Sequence, residues 1–150
     1  MDVRDYLNQS YMLDRQIQCN MDHLNDLKEA ALTVSGLTYE ERLFTPDNSN
    51  AGFVKTLYKI DELRNTLLDE IDKLVNLKAE IFSTIKTCKT VQGRVVLMYR
   101  HMMNCDWETI ADKTSASRRS VIRWYNEAIE TVMMPDNPIN IDEILFKKLN

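Results

Sequence analysis

Glycine and proline are scarce in this 150-residue chain, three of each, and cysteine is equally rare. So few chain breakers predict a fold that is mostly helix. The three cysteines, Cys19, Cys88 and Cys105, are an odd number without the paired spacing of a metal site, and each reads as a small apolar residue. No apolar signal segment opens the chain and no run approaches membrane-spanning length, so a cytoplasmic protein with reduced thiols and no membrane partner is expected. The two histidines, His23 and His101, are far apart in sequence. His101, next to Arg100, reads as part of a basic patch, and His23 as a solvated surface residue. A phosphate loop, a zinc-binding helix motif, a nucleophile elbow and a scaffolded acid pair are all missing, so neither catalysis nor a cofactor or metal is expected.

Apolar residues are plentiful, at 44%, and they are patterned. Val3, Tyr6, Leu13, Ile17, Leu24, Leu27, Ala31 and Val34 recur at steps of three and four, which predicts one heptad helix of roughly nine turns. Ser10 and Asn20 interrupt it, and Asn20 reads either as a buried polar residue that sets register or as one at a solvated edge. A second stripe, Leu57, Ile60, Leu67, Ile71, Leu74, Ile81 and Ile85, runs from about Phe53 to Lys89, with Arg64 and Lys78 as its polar interruptions. Between the two, the segment from Gly36 to Gly52 contains Thr45-Pro46-Asp47-Asn48-Ser49-Asn50, whose turn chemistry predicts a loop over about 36–52. The expectation is an all-α chain: a long, antiparallel, coiled-coil-like hairpin over 1–89, a small helix-turn-helix domain over 90–134, and a tail over 135–150.

A hairpin about 50 Å long is thinly supported by a single seam. Val54, Leu68, Val75 and Phe82 recur at sevens, or twice that, beside the main stripe, with Leu63 and Leu77 on its other flank. So wide an apolar face predicts homodimerisation through the hairpins as a four-helix bundle, with Leu57, Leu67, Leu68, Ile71, Leu74, Val75, Ile81 and Phe82 at the interface. A hairpin folded back onto its own C-terminal domain is the alternative.

The stretch from Asp106 to Val132 carries the functional signal. Asp106 can cap a first helix in which Trp107, Ile110 and Ala111 share a face. The apolar pattern lapses at Thr114, Ser115 and Ala116, and Ser117 can cap a second helix. There Val121, Trp124, Ala128, Ile129 and Val132 make an inward stripe, leaving Arg119, Ser120, Arg123 and Asn126 outward. A helix opening with exposed arginines and no acid before Glu127 is how a protein presents a reading head to duplex DNA. Arginine suits bidentate bonding to guanine, so Arg119, Ser120 and Arg123 are expected on base edges and Arg118 on a phosphate, with Ser117 and Asn126 also among the DNA-binding residues. An ordinary solvated helical surface is the bland alternative. Trp107 and Trp124 are expected to pack inside the head, with contact of Trp124 or Tyr125 to the DNA backbone as the other reading.

Net charge is −4, but it is unevenly spread: residues 1–85 carry −6, residues 86–131 carry +3 and residues 132–150 carry −1. Since nucleic-acid binding depends on local basic potential, the positive segment coincides with the helix-turn-helix pattern. Beyond Pro135 and Pro138, Ile141, Ile144, Leu145 and Leu149 with Lys147 and Lys148 predict a short amphipathic helix that either caps the head or docks on RNA polymerase.

The runs Trp107-Glu108-Thr109-Ile110-Ala111, Ser117-Arg118-Arg119-Ser120-Val121 and Ala128-Ile129 resemble the helix-turn-helix of region 4 in bacterial sigma factors, and Arg94-Val95-Val96-Leu97-Met98-Tyr99 resembles its lead-in helix. Over the whole length, with Met1-Asp2-Val3-Arg4-Asp5-Tyr6-Leu7 and Glu70-Ile71-Asp72-Lys73-Leu74-Val75-Asn76-Leu77-Lys78, the chain looks like small regulators of phages and mobile elements of Gram-positive bacteria, the late-gene activators of the RinA and ArpU type. That resemblance implies a regulator in the bacterial cytoplasm that binds promoter or operator DNA, with host RNA polymerase as a further partner. Two other readings are open: a small-terminase-like DNA packaging recognition protein, and a helical adaptor or inhibitor that captures a protein through the hairpin.

Overall fold

The computed structural model describes residues 1–41 and 48–146, and their side chains except those of 34–41, 48–51 and 53. The chain is all-α, with no strand among the described residues. Helices run over Val3–Asn8 (α1), Ser10–Glu41 (α2), Asn48–Lys86 (α3) and Val91–Leu97 (α4), the last continuing into a π-helical turn at Met98–Met102. They are followed by Trp107–Thr114 (α5), Arg118–Thr131 (α6) and Ile141–Phe146 (α7). None of the described helices is long and apolar enough to cross a membrane.

Packing divides the chain into two units, Gln16–Lys73 and the pair Met1–Arg15 with Leu74–Asn150. The second of these contains the head. Its core takes Tyr6, Leu7 and Leu13 from the N-terminal helices, Leu74, Leu77, Ile81 and Ile85 from α3, and Val96, Leu97, Ile110 and Val121 from the head helices, all fully or almost fully buried. The steps of three and four along α3 put its four residues on one face. Leu77, expected on a flank, belongs to that core.

The heptad pattern predicts one uninterrupted N-terminal helix, whereas the structure breaks it at Gln9. The Gln9 amide donates to the carbonyls of Tyr6 (3.1 Å) and Ile139 (3.2 Å) and accepts from the Ile141 amide at 2.7 Å. The segment leading into α7 is thereby fastened to its own unit, and Glu80 fastens it again, accepting from Ile139 N (3.1 Å) and from the Tyr6 hydroxyl (2.8 Å). Burial, the largest cause, raises the Tyr6 hydroxyl well above the usual phenol range. Leu149, Lys147 and Lys148, expected in the C-terminal helix, lie outside the described residues. Lys78, read as a polar interruption of the α3 stripe, pairs with Asp14, and both groups are about two-fifths exposed. Such a half-solvated pair stabilises by ~1 kcal/mol at most.

Unit Gln16–Lys73 is built from the α2 and α3 hairpin, which runs antiparallel: Asn20 lies beside Glu70, and Ala31 opens onto the same groove as Tyr58. α2 runs past Gly36 to Glu41 and α3 begins at Asn48, so the interruption is narrower than 36–52, and Thr45, Pro46 and Asp47 fall outside the described residues. Asn20 is buried, donating to Glu70 Oε1 at 2.8 Å and accepting from Gln16 Nε2 at 3.0 Å. Its polar atoms are satisfied inside the chain, which fixes the register of α2 on α3 rather than leaving the amide at a solvated edge. Further along, the helices leave a groove of about 740 Å³ lined by Leu24, Leu27, Ala31, Leu57 and Ile60.

The residues expected at a dimer interface separate in the structure. Leu74 and Ile81 are fully buried in the chain's own core and Leu67 is 9% exposed, because they occupy the face of α3 that the intramolecular packing uses. Leu57 and Ile71 are half-buried. Leu68, Val75 and Phe82 are 42%, 47% and 36% exposed, as is Val54 at 45%.

Candidate nucleic-acid interface

The head is assembled around α6, against which α4 and α5 both pack. Thr90 caps α4, its hydroxyl accepting from Gly93 N at 3.1 Å. Gly93 lies against α6: a Cβ there would stand 2.8 Å from the Ala128 Cβ and 2.6 Å from Thr90 Oγ1.

Asp106 caps α5, as its position before Trp107 predicts, accepting from Thr109 N at 2.7 Å. That amide, then the Thr109 hydroxyl, lower the Asp106 pKa, with weaker help from Arg100 and Arg118. At the end of α5, Ser115 turns the chain through a left-handed conformation, φ 52° and ψ 37°. A Cβ is disfavoured there, and glycine is the usual residue of such turns. Ser115→Gly is expected to raise stability by about 0.5–1 kcal/mol, measurable by urea unfolding; a loss would show that the serine hydroxyl contributes more than the backbone strain removes.

Ser117 caps α6, accepting from Ser120 N at 3.1 Å while its own hydroxyl sits 3.0 Å from Ser120 Oγ. Arg118, Arg119, Arg123 and Asn126 are all exposed, and Ser120 is half-buried. Arg123 lies 3.9 Å from Glu127, a loose pair between two well-exposed side chains. The buried side of α6 is Val121, Tyr125 and Ala128, with Val132 buried just beyond its end. This corrects the expected inward stripe, since Trp124 and Ile129 are only half-buried and Tyr125 holds the centre. The Tyr125 ring meets Trp107 edge-on at 5.0 Å and stacks on His101 at 5.8 Å, so it serves the interior and is not available to a DNA backbone.

His101 is also corrected. It is 1% exposed, with Nδ1 3.3 Å from the Ser10 hydroxyl and Nε2 3.2 Å from the Tyr125 hydroxyl, and so cannot join a surface patch. Desolvation, followed by Arg100, lowers its pKa to about 4, while a hydrogen bond to the Leu7 backbone acts the other way. Arg100 is structural as well: its guanidinium lies 4.4 Å over Trp107 and 5.2 Å over Tyr11, and it donates to the Cys105 carbonyl at 3.0 Å. Cys88 is buried and Cys105 half-buried, whereas Cys19 is exposed. His23 is exposed. No cluster of His, Cys, Asp or Glu among the described residues could hold a metal.

One residue beside this face is missed by sequence reasoning. Arg4, on α1, donates to Asn126 Oδ1 at 2.9 Å and lies 5.7 Å over the Tyr125 ring. The contact spans 122 positions, and the N-terminal periodicity shows only that α1 buries a face, not which helix lies beside it.

Chemically the outer face of α6 offers hydrogen-bond donors and positive charge on a helix held rigid by its buried face. Such a surface can bind polyanions and read base edges. No protein-family model, curated protein or solved structure matches the chain.

Proposed function

We propose that this chain is a sequence-specific double-stranded DNA-binding regulator of transcription, acting without catalysis or cofactor on phage or mobile-element promoters in the bacterial cytoplasm. The observation that carries the reading is the exposure of Arg118, Arg119 and Arg123 along a side-chain-capped helix whose opposite face is buried. In this reading the first turns of α6 enter the major groove, Arg119 and Arg123 reach base edges with Ser120, and Arg118 meets a phosphate. Ser117 holds the helix end in place as its cap. Host RNA polymerase is the proposed further partner.

Homodimerisation belongs to the same proposal, on narrower grounds than the sequence pattern offers. The exposed Leu68, Val75 and Phe82 of α3, the last with Lys86 Nζ 4.6 Å over its ring, and the groove between Leu24 and Leu57 both present apolar surface to solvent. Dimerisation would place two heads at a fixed separation, so two half-sites at set spacing are expected. A ring-sized oligomer in light scattering would favour the packaging reading instead.

The test is selection from random duplex DNA at near-physiological salt, with Arg119→Ala/Arg123→Ala as the comparison. A motif enriched by the native chain and lost in the folded double variant is the expected result, each arginine contributing about 1–3 kcal/mol of base discrimination. Arg118→Ala is expected to weaken all sequences alike. Absence of any enriched motif or salt-dependent duplex binding would overturn the proposal and favour a protein partner for the hairpin.

A further inference from the structure

We infer that Arg4, 114 positions before the helix that carries the other arginines, is a phosphate-binding residue of the same DNA interface. This rests on the DNA-binding reading above. Among the described residues the guanidinium meets two uncharged groups, the Asn126 amide oxygen at 2.9 Å and the Tyr125 ring at 5.7 Å. Arg4 thus keeps its full charge and most of its five N–H donors for a ligand, while its position beside α6 is already set.

Its anchoring is firm for an exposed side chain. Asp2 caps α1, accepting from Asp5 N at 2.8 Å, and the next residues inward, Tyr6 and Leu7, are fully buried. Holding a long cation in place in advance lowers the ordering cost when it binds. Asn126 supplies the second half of the argument. An asparagine that reads adenine must accept from one atom of the base edge and donate to another. Arg4 already takes one of the two lone pairs of the Asn126 oxygen, so the pair presents mainly donors and positive charge outward, which suits a phosphate diester better than adenine.

The location agrees. Asn126 follows Arg118 by eight residues, about 12 Å along the axis at 1.5 Å per residue, and the major groove is itself about 12 Å wide. When the first turns of α6 lie among the bases, Asn126 and Arg4 stand near the groove edge, where the sugar-phosphate backbone passes. Asp5 and Glu127, both exposed and each next in sequence to one member of the pair, keep this contact from becoming a broad basic patch, so its contribution is confined to one phosphate.

The experiment compares the native chain, Arg4→Gln and Arg4→Lys on one duplex over a salt series, with circular dichroism to check folding. Arg4→Gln is expected to lower the slope of log affinity against log salt by about 0.9, the value for one phosphate contact, and Arg4→Lys to keep the native slope. The slope reads charge on the DNA, which a purely structural role of Arg4 would not move. If the native chain binds with a salt-dependent slope and Arg4→Gln shares it, this inference fails and the DNA reading stands. If the native chain shows no salt-dependent binding to any duplex, the DNA reading itself fails.

Discussion

Acidifying the protein from pH 7 to pH 4 is expected to remove roughly 3 kcal/mol of folding stability through His101 alone. The imidazole is 1% exposed, lies between the rings of Tyr11 and Tyr125 at 5.6 and 5.8 Å, and contacts the Ser10 and Tyr125 hydroxyls through its two nitrogens. Burial, then Arg100, holds its pKa near 4 in the folded chain, against an ordinary value near 6.5 when unfolded. Between those two pH values the unfolded chain carries a proton on His101 that the folded chain does not. Stability therefore rises with pH across this window: the contribution is complete above 6.5 and is lost as pH falls through 4. Urea unfolding across the window measures it, and His101→Gln, which keeps a donor and an acceptor but cannot titrate there, separates it from the carboxylates. The variant is expected to be less stable at neutral pH, by about 1–3 kcal/mol, and to show a fall with acid smaller by the histidine's share. An imidazole seen by NMR to titrate near 6.5 in the folded chain would overturn this account.

The same network shows what could be read from the chain and what could not. The caps at Asp106 and Ser117 depend on residues three positions away, so local chemistry placed the starts of α5 and α6. The outward positions of Arg119, Arg123 and Asn126 follow from helical periodicity alone. Periodicity also marks Tyr6, Leu74 and Ile81 as residues that bury a face, but it does not say against what. It therefore made Leu74 and Ile81 candidates for a second copy when they fill the chain's own core. The interior of α6 was misjudged for a related reason. Trp124 and Tyr125 are adjacent, and apolarity favours tryptophan, but Tyr125 shares the buried face with Val121 and Ala128, and its hydroxyl meets His101, 24 positions earlier. His101 in turn looks like a surface cation because Arg100 precedes it, although neighbouring residues on a helix point in different directions. Arg4 and Gln9 complete the pattern: each has a partner more than 120 positions away, Asn126 and Ile139, beyond any local signal.

Gly93 separates two effects that glycine substitutions usually combine. Inside a helix, glycine costs about 0.5–1 kcal/mol relative to alanine, so replacing it should stabilise wherever space allows. Gly52, in α3, has nothing within 4 Å of an added Cβ, and Gly52→Ala is expected to gain about that amount. At Gly93 the added carbon would stand 2.6 Å from Thr90 Oγ1, 2.8 Å from the Ala128 Cβ and 2.9 Å from Cys88 Sγ. None of the three can yield without consequence. Thr90 caps α4 through the Gly93 amide itself, Ala128 is fixed to the buried side of α6, and Cys88 is fully buried. Gly93→Ala is thus expected to lose about 1–3 kcal/mol despite its better helix propensity, and Gly93→Val, which adds two more carbons and a branched Cβ, to lose more than that. Because α4 and α6 are forced apart at this point, Gly93→Val is also expected to lose duplex binding although every arginine of the outer face remains. Urea unfolding of the two alanine variants against the native chain tests the sign. A Gly93→Ala chain as stable as Gly52→Ala would mean that α4 and α6 are not in contact at this glycine, and the rigid seating of the α6 face would have to come from α5 and α1 instead.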